Sequence, residues 1–299
     1  MASSANSASG PAPWSTTNTA AAPPATPPRT PTSNPREVTT DVTTQQAPPE
    51  KTDAETVIRT ENVTKRFGGL VAVDSVDMHV DHGEIVGLIG PNGAGKSTLF
   101  NCITGTLPAD EGHIHLRDEE ITGWPEHRIA GAGLGRMFQQ TRVYREMSVR
   151  ENLIASAQRN NRFLAQFRRP DEATLDRADE LLAYVDLDGL ADVRAGRMSF
   201  GQQKLLEFAM ALMADPEILL MDEPAGGINP SMIEQLLDYI RETNTEEDVT
   251  ILLIEHNMDF VMEIADRIYA LAHGERIAEG TPEEIQSDER VLDAYLGRE

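Results

Sequence analysis

The chain has 299 residues, in which 49 Asp and Glu stand against 26 Lys and Arg for a net charge of −23; so negative a surface argues against wholesale binding to nucleic acid or anionic lipid. No run of about 18 apolar residues and no basic-then-apolar leader signals a spanning or secreted segment. Cys102, the single cysteine, cannot close an internal disulfide, and no Cys/His cluster has zinc spacing. The expectation is therefore a soluble, cytosolic chain holding one α/β domain and a tail.

Residues 1–55 contain 10 of the 18 prolines amid Ser, Thr and Ala, and so few apolar groups cannot offset chain entropy; the composition predicts a disordered tail. From Val57 onward, apolar β-rich runs alternate with helical periodicity, the pattern of a mostly parallel sheet covered by helices. The run Glu84 to Gly90 reads as a buried strand. It feeds directly into Gly90-Pro91-Asn92-Gly93-Ala94-Gly95-Lys96-Ser97-Thr98, which satisfies G-x-x-x-x-G-K-[ST] and opens a helix. Strand, glycine loop and helix in that order make a phosphate cradle. Main-chain N–H groups and the helix N-terminus face the anion, Lys96 reaches its outer phosphates, and the Ser97 hydroxyl suits Mg2+.

Between Arg142 and Arg197 the strand signal vanishes, and Leu175, Leu181, Leu182, Val185 and Leu187 are the expected packing positions of an inserted helical subdomain. A further helix buries Leu205, Leu206, Phe208, Ala209, Leu212 and Met213. The strand Ile218 to Met221 ends on Asp222-Glu223, two carboxylates at the edge where the phosphate loop opens; Asp222 suits a metal shell and Glu223 is placed to take a proton from water. Asn229-Pro230 reads as cap and first turn of the next helix. His256 follows the strand Thr250 to Ile254 at the same edge, and Ile268 to Leu271 is the last buried strand.

Met198-Ser199-Phe200-Gly201-Gln202-Gln203, at a helix start between loop and acidic strand, resembles the signature of ABC ATPases. In order, Phe67, Gly90 to Ser97, Gln139, Ser199 to Gln202, Asp222-Glu223, Gly226 to Asn229 and His256 resemble that family's aromatic, Walker A, Q-loop, signature, Walker B, D-loop and switch elements, over residues 57–299. Phe200 and Asn229 depart from the general pattern, which has glycine and aspartate there. Asn101 to Gly105, Gly135 to Gln139, Ala225 to Pro230, Ile254 to Met258 and Ala294 to Gly297 are similar to the ATP-binding subunits of branched-chain amino acid importers. Urea and short-amide importers, and a lipopolysaccharide-extracting exporter, have ATPases close to this pattern, and a soluble ABC ATPase in an assembly role is the alternative of another class.

The resemblance implies a P-loop NTPase of ABC ATPase type: a mostly parallel core, an N-terminal antiparallel β subdomain and a helical subdomain over about residues 142–200. It implies ATP and Mg2+ as ligands. Phe67 would stack on adenine; Gly90, Asn92, Gly93, Gly95, Lys96, Ser97 and Thr98 would hold phosphates; Ser97, Gln139 and Asp222 would hold the metal. Glu223, His256 and Gln139 would be catalytic, while Ser199, Gly201 and Gln202 would cover the nucleotide of a second subunit. The implied partners are two transmembrane permeases, a second ATPase, self or related, and an extracytoplasmic solute-binding protein, with no nucleic acid, at the cytoplasmic side of the cell membrane. Seven arginines between Gln139 and Pro170, against Glu146 and Glu151, form a local basic stretch expected to dock acidic permease helices or lipid headgroups.

An acidic, lysine-poor surface keeps a protein hydrated where salt screens ordinary repulsion. The composition thus points to adaptation to high salt, as in a halophile. A melting series in KCl is expected to show stability rising toward molar salt; a flat or falling curve would refute it.

Overall fold

The computed structural model describes residues 55–138, 142–157 and 170–296, so the expected tail lies outside the described residues but for Glu55. β1 (Thr56–Phe67) and β2 (Leu70–Asp81) form an antiparallel hairpin closed by Gly68-Gly69, with Phe67 paired to Leu70. Beside β1 lies β4 (Glu111–Leu116) and then β5 (Glu119–Glu120), completing a four-stranded antiparallel sheet.

Strands apolar at every position are stable only with both faces covered. β3 (Ile85–Ile89), β7 (Ile218–Asp222) and β8 (Thr250–Ile254) are buried throughout. With β6 (Leu134–Met137), β9 (Arg267–Ala272) and β10 (Glu275–Gly280) they form a second sheet in the order β10-β9-β3-β8-β7-β6, parallel except where β10 pairs with β9. Because side chains alternate along a strand, Val86, Leu88, Leu220 and Leu252 pack toward Leu99, Phe100 and Ile103 of α1 (Lys96–Ile103) and toward the antiparallel sheet. Ile85, Ile89, Leu219 and Leu253 pack on the opposite face against α5 (Phe200–Leu212), α6 (Pro230–Glu246) and α7 (Met258–Ile264). Arg267 of β9 ties the sheets together, donating to both carboxylate oxygens of Glu84 at 2.9 and 2.7 Å and to the His79 carbonyl of β2 at 3.3 Å.

The described residues between 142 and 200 hold α3 (Val149–Ala157), α4 (Glu172–Tyr184) and two short 3-10 turns, with a single isolated bridge from Ser148 to Arg194. The expected packing positions of α5 are all buried, as are Leu181, Leu182, Val185 and Leu187. Leu175 is not: it lies in the first turn of α4, ahead of the buried stretch, and stays 36% exposed. Among the described residues no helix is long and apolar enough to cross a membrane.

Candidate nucleotide site

The phosphate loop is shaped by contacts that leave no room for side chains. Gly90 leaves β3 at φ +148°, where an added Cβ would lie 2.1 Å from the Leu271 carbonyl; Gly95, at φ +102°, would meet the Ala72 carbonyl at 2.3 Å. Both are positions that only glycine tolerates. α1 then starts with no side-chain cap and no acidic residue in its first turn, so its N-terminal N–H groups stay available to an anion. Lys96 is buried and folds back over the loop, donating to the carbonyls of Gly90 at 2.6 Å and Pro91 at 3.2 Å. Burial lowers its pKa against the pull of Glu223 and Asp222. Asn92, Gly93 and Ser97 are exposed and Thr98 is half-buried. Phe67 is 48% exposed at the end of the hairpin whose Ala72 abuts Gly95.

Asp222, the last residue of β7, is buried beside the loop. One carboxylate oxygen, Oδ2, lies 3.5 Å from Arg136 Nη2, while Oδ1 is buried with no hydrogen-bond partner. Burial raises its pKa against the pull of Arg136, with Glu223 adding to the rise. A dry, unpartnered carboxylate oxygen is what a divalent cation would satisfy. Glu223 turns out of the strand at φ +50°, its N–H bonded to the Ile254 carbonyl at 2.9 Å, and its Oε1 lies 3.7 Å from His256 Nδ1. The two residues expected to act on water and γ-phosphate are thus brought together.

Two charged residues outside the expected site set build this edge. Glu255, fully buried, accepts from the main-chain N–H groups of Ala225 at 2.8 Å, His256 at 3.0 Å and Asn257 at 3.2 Å. Burial raises its pKa and those three bonds pull it down, so one carboxylate fastens the switch to the turn beyond Asp222-Glu223. Arg136 of β6 donates to Thr104 Oγ1 at 2.8 Å and Asn101 Oδ1 at 2.9 Å while facing Asp222, joining α1 to the acidic strand. Its pKa is lowered by burial against the pull of Asp222. The available signal was a charge set in or just after an apolar strand, which demands a partner.

Ser199 caps α5 in a reciprocal box with Gln202: Gln202 N–H donates to Ser199 Oγ at 3.3 Å and Ser199 N–H to Gln202 Oε1 at 3.0 Å. Gly201 faces Met232 of α6, and a Cβ at Gly227 would lie 3.0 Å from the Phe200 ring, so within one chain the signature adjoins the D-loop turn. Asn229 caps α6 through Met232 N–H at 3.0 Å. Gln139 lies outside the described residues. At its flanks Glu207 of α5 accepts from Arg142 N–H at 3.4 Å; burial pushes this carboxyl up to about 7, while Lys204 and the N–H groups of Arg142 and Phe138 pull it down. Of the seven arginines, Arg150 is already paired with Asp179 and Asp192 at 2.7 and 3.2 Å, and Arg142 stacks on Phe138 at 3.4 Å; Arg159, Arg162, Arg168 and Arg169 lie outside the described residues.

A glycine loop, an uncapped helix start and an acid with one unpartnered oxygen at the carboxyl edge of a parallel sheet define a nucleotide-binding P-loop protein. Residues 73–226 match the ABC transporter family model, and residues 275–299 match a model of branched-chain amino acid ATP-binding cassette transporters. The chain is 43% identical to the high-affinity branched-chain amino acid transport ATP-binding protein BraF of Pseudomonas aeruginosa, covering 81% of this chain and 98% of the relative. It is 41% identical to LivG of Escherichia coli, of the same description, with 82% and 99% covered. A crystal structure of an ATP-binding cassette of an ABC transporter in its ADP conformation superimposes with a TM-score of 0.74 at 35% identity, covering 81% of this chain and 99% of that one. The chain belongs to the ABC transporter family, as one of its ATP-hydrolysing subunits.

Replacing Glu255 by Gln sets an amide NH2 against main-chain donors and costs either the bond to Ala225 or both bonds to His256 and Asn257. The expected result is a stability loss of about 1–3 kcal/mol in urea unfolding, and a lowered turnover with MgATP affinity kept. Wild-type turnover in the folded variant would remove Glu255 from the switch.

Proposed function

We propose that this chain is the ATPase subunit of a branched-chain amino acid importer, peripheral on the cytoplasmic side of the cell membrane. The approach of Glu223 to His256 at 3.7 Å, at the edge of the phosphate loop, is the observation that carries the chemistry. The solute class is supported by relatives named for branched-chain amino acid transport at 41–43% identity.

Phe67 stacks on adenine. Gly90 opens the turn of the loop, Asn92, Gly93 and Gly95 supply its main chain to the phosphates, with Thr98 at the helix start, and Lys96 exchanges its carbonyl partners for phosphate oxygens. Ser97, Gln139 and the unpartnered oxygen of Asp222 would hold Mg2+, which when bound neutralises charge on the phosphates. Glu223 takes the proton of the attacking water, and His256 holds that water and the γ-phosphate in line. Ser199, Gly201 and Gln202 cover the nucleotide of a second ATPase subunit, identical or related. ATP binding stabilises the closed pair and hydrolysis releases it, and that difference drives two permease subunits supplied by a solute-binding protein. The permeases' cytoplasmic helices meet the cleft lined by Arg136, Phe138, Arg142, Tyr144, Ser156 and Met210.

Glu223→Gln is expected to stop turnover and accumulate an ATP-bound dimer, read by phosphate release and light scattering; undiminished hydrolysis would refute Glu223 as base. A mild-detergent pull-down from native membranes is expected to bring multi-span permeases and a second ATPase. Titrating their binding protein with leucine, urea and amides then names the solute. Recovery of soluble partners alone would withdraw the importer reading.

A further inference from the structure

The C-terminal helix takes no part in the chemistry above, yet it reaches the phosphate loop. In α9 (Glu289–Leu296), Tyr295 places its hydroxyl 2.9 Å from the N–H of Gly90, which donates to it. Gly90 lies one residue past the last paired position of β3, Ile89 opposite Ala270, so its N–H has left the strand ladder at a half-dry edge where an unmet donor is costly. Its carbonyl is taken by Lys96 at 2.6 Å. Both polar groups of the loop's first residue are therefore held by side chains, one of which must let go to bind phosphate.

We infer that Tyr295 is a positioning residue for nucleotide binding: its hydroxyl keeps Gly90 in place when Lys96 turns from the Gly90 carbonyl to the phosphates. The residue is not simply part of the core. Tyr295 is 39% exposed, its neighbours Leu292 and Leu296 are 46% and 62% exposed, and Val291 is the buried anchor of the helix. The hydroxyl bond is a specific tether from a lightly packed element to the hinge of the site. It works on the start of the loop, before any residue that touches the reacting phosphate, so it acts on affinity more than on the chemical step.

The inference rests on the ATP-site reading, and the test separates the two. In Tyr295→Phe, KM for ATP and the Kd of a fluorescent ATP analogue are expected to rise about three- to tenfold, with kcat staying within about twofold and the Gly90 amide exchanging faster with solvent. Leu292→Ala, on the exposed side of the same helix, is expected to leave all four readouts at wild type. Unchanged affinity in Tyr295→Phe beside tight binding by wild type would overturn the role of Tyr295 alone, as would an equal shift in Leu292→Ala, which would assign the effect to helix packing. Wild-type protein that bound no nucleotide would overturn the site reading and this inference with it.

Discussion

Main-chain polar groups must find partners wherever buried strands stop, and here β3, β7 and β8 stop together at one edge. The ladder ends at Ile89, Asp222 and Ile254, and beyond it the chain is held mostly by side chains. Gly90 is held by Tyr295 and Lys96, Glu223 by the Ile254 carbonyl, and Ala225, His256 and Asn257 by Glu255. The residues proposed to serve ATP chemistry lie among these makeshift partners. Where regular hydrogen bonding lapses, main-chain donors and side-chain charges can be turned toward a ligand, and the rigid strands behind them fix where they stand.

The same edge carries charges in surroundings that do not suit them. Burial lowers the pKa of Lys96 and raises those of Asp222 and Glu255. For Lys96 and Asp222 the protein supplies incomplete relief: carbonyl oxygens for the ammonium, and a single arginine for one oxygen of the carboxylate. Phosphate and metal would complete both shells, so nucleotide binding gains from charges already dehydrated and aligned. Glu255 differs. Its three N–H donors satisfy it without a ligand, which suits a structural hub and leaves exchangeable charge to its neighbours.

Local signals were legible in the sequence and distant ones were not. The phosphate loop, the acidic strand end, the helix start at Ser199 and the cap Asn229 are each written within a few consecutive residues, and the structure forms them there. The strands β3, β7, β8 and β9 were readable because burial on both faces demands unbroken apolar runs. Arg136, Glu255 and Tyr295 stand in the sequence only inside runs that carry the family resemblance, because the meaning of each depends on a partner far along the chain: Asp222, Ala225 and Gly90, at separations of 86, 30 and 205 residues. Leu175 misled for the opposite reason. It continues the apolar series of α4 in sequence, but its turn precedes the part of the helix that packs, and periodicity does not report where packing begins.

One run of contacts crosses the molecule from the switch to the signature. His256 and Ala225 share the carboxylate of Glu255; two residues on, Gly227 closes against the Phe200 ring, and Phe200 follows the Ser199 cap. Each step is a main-chain N–H held by that buried carboxylate or a side chain set against a glycine. Close-packed contacts of this kind carry displacement rather than damp it. The turn from Pro224 to Asn229 is thus held at two points, by the Glu255 carboxylate at Ala225 and by the Phe200 ring at Gly227. A strand end, a buried carboxylate and a glycine turn in this way set the phosphate edge next to the start of α5.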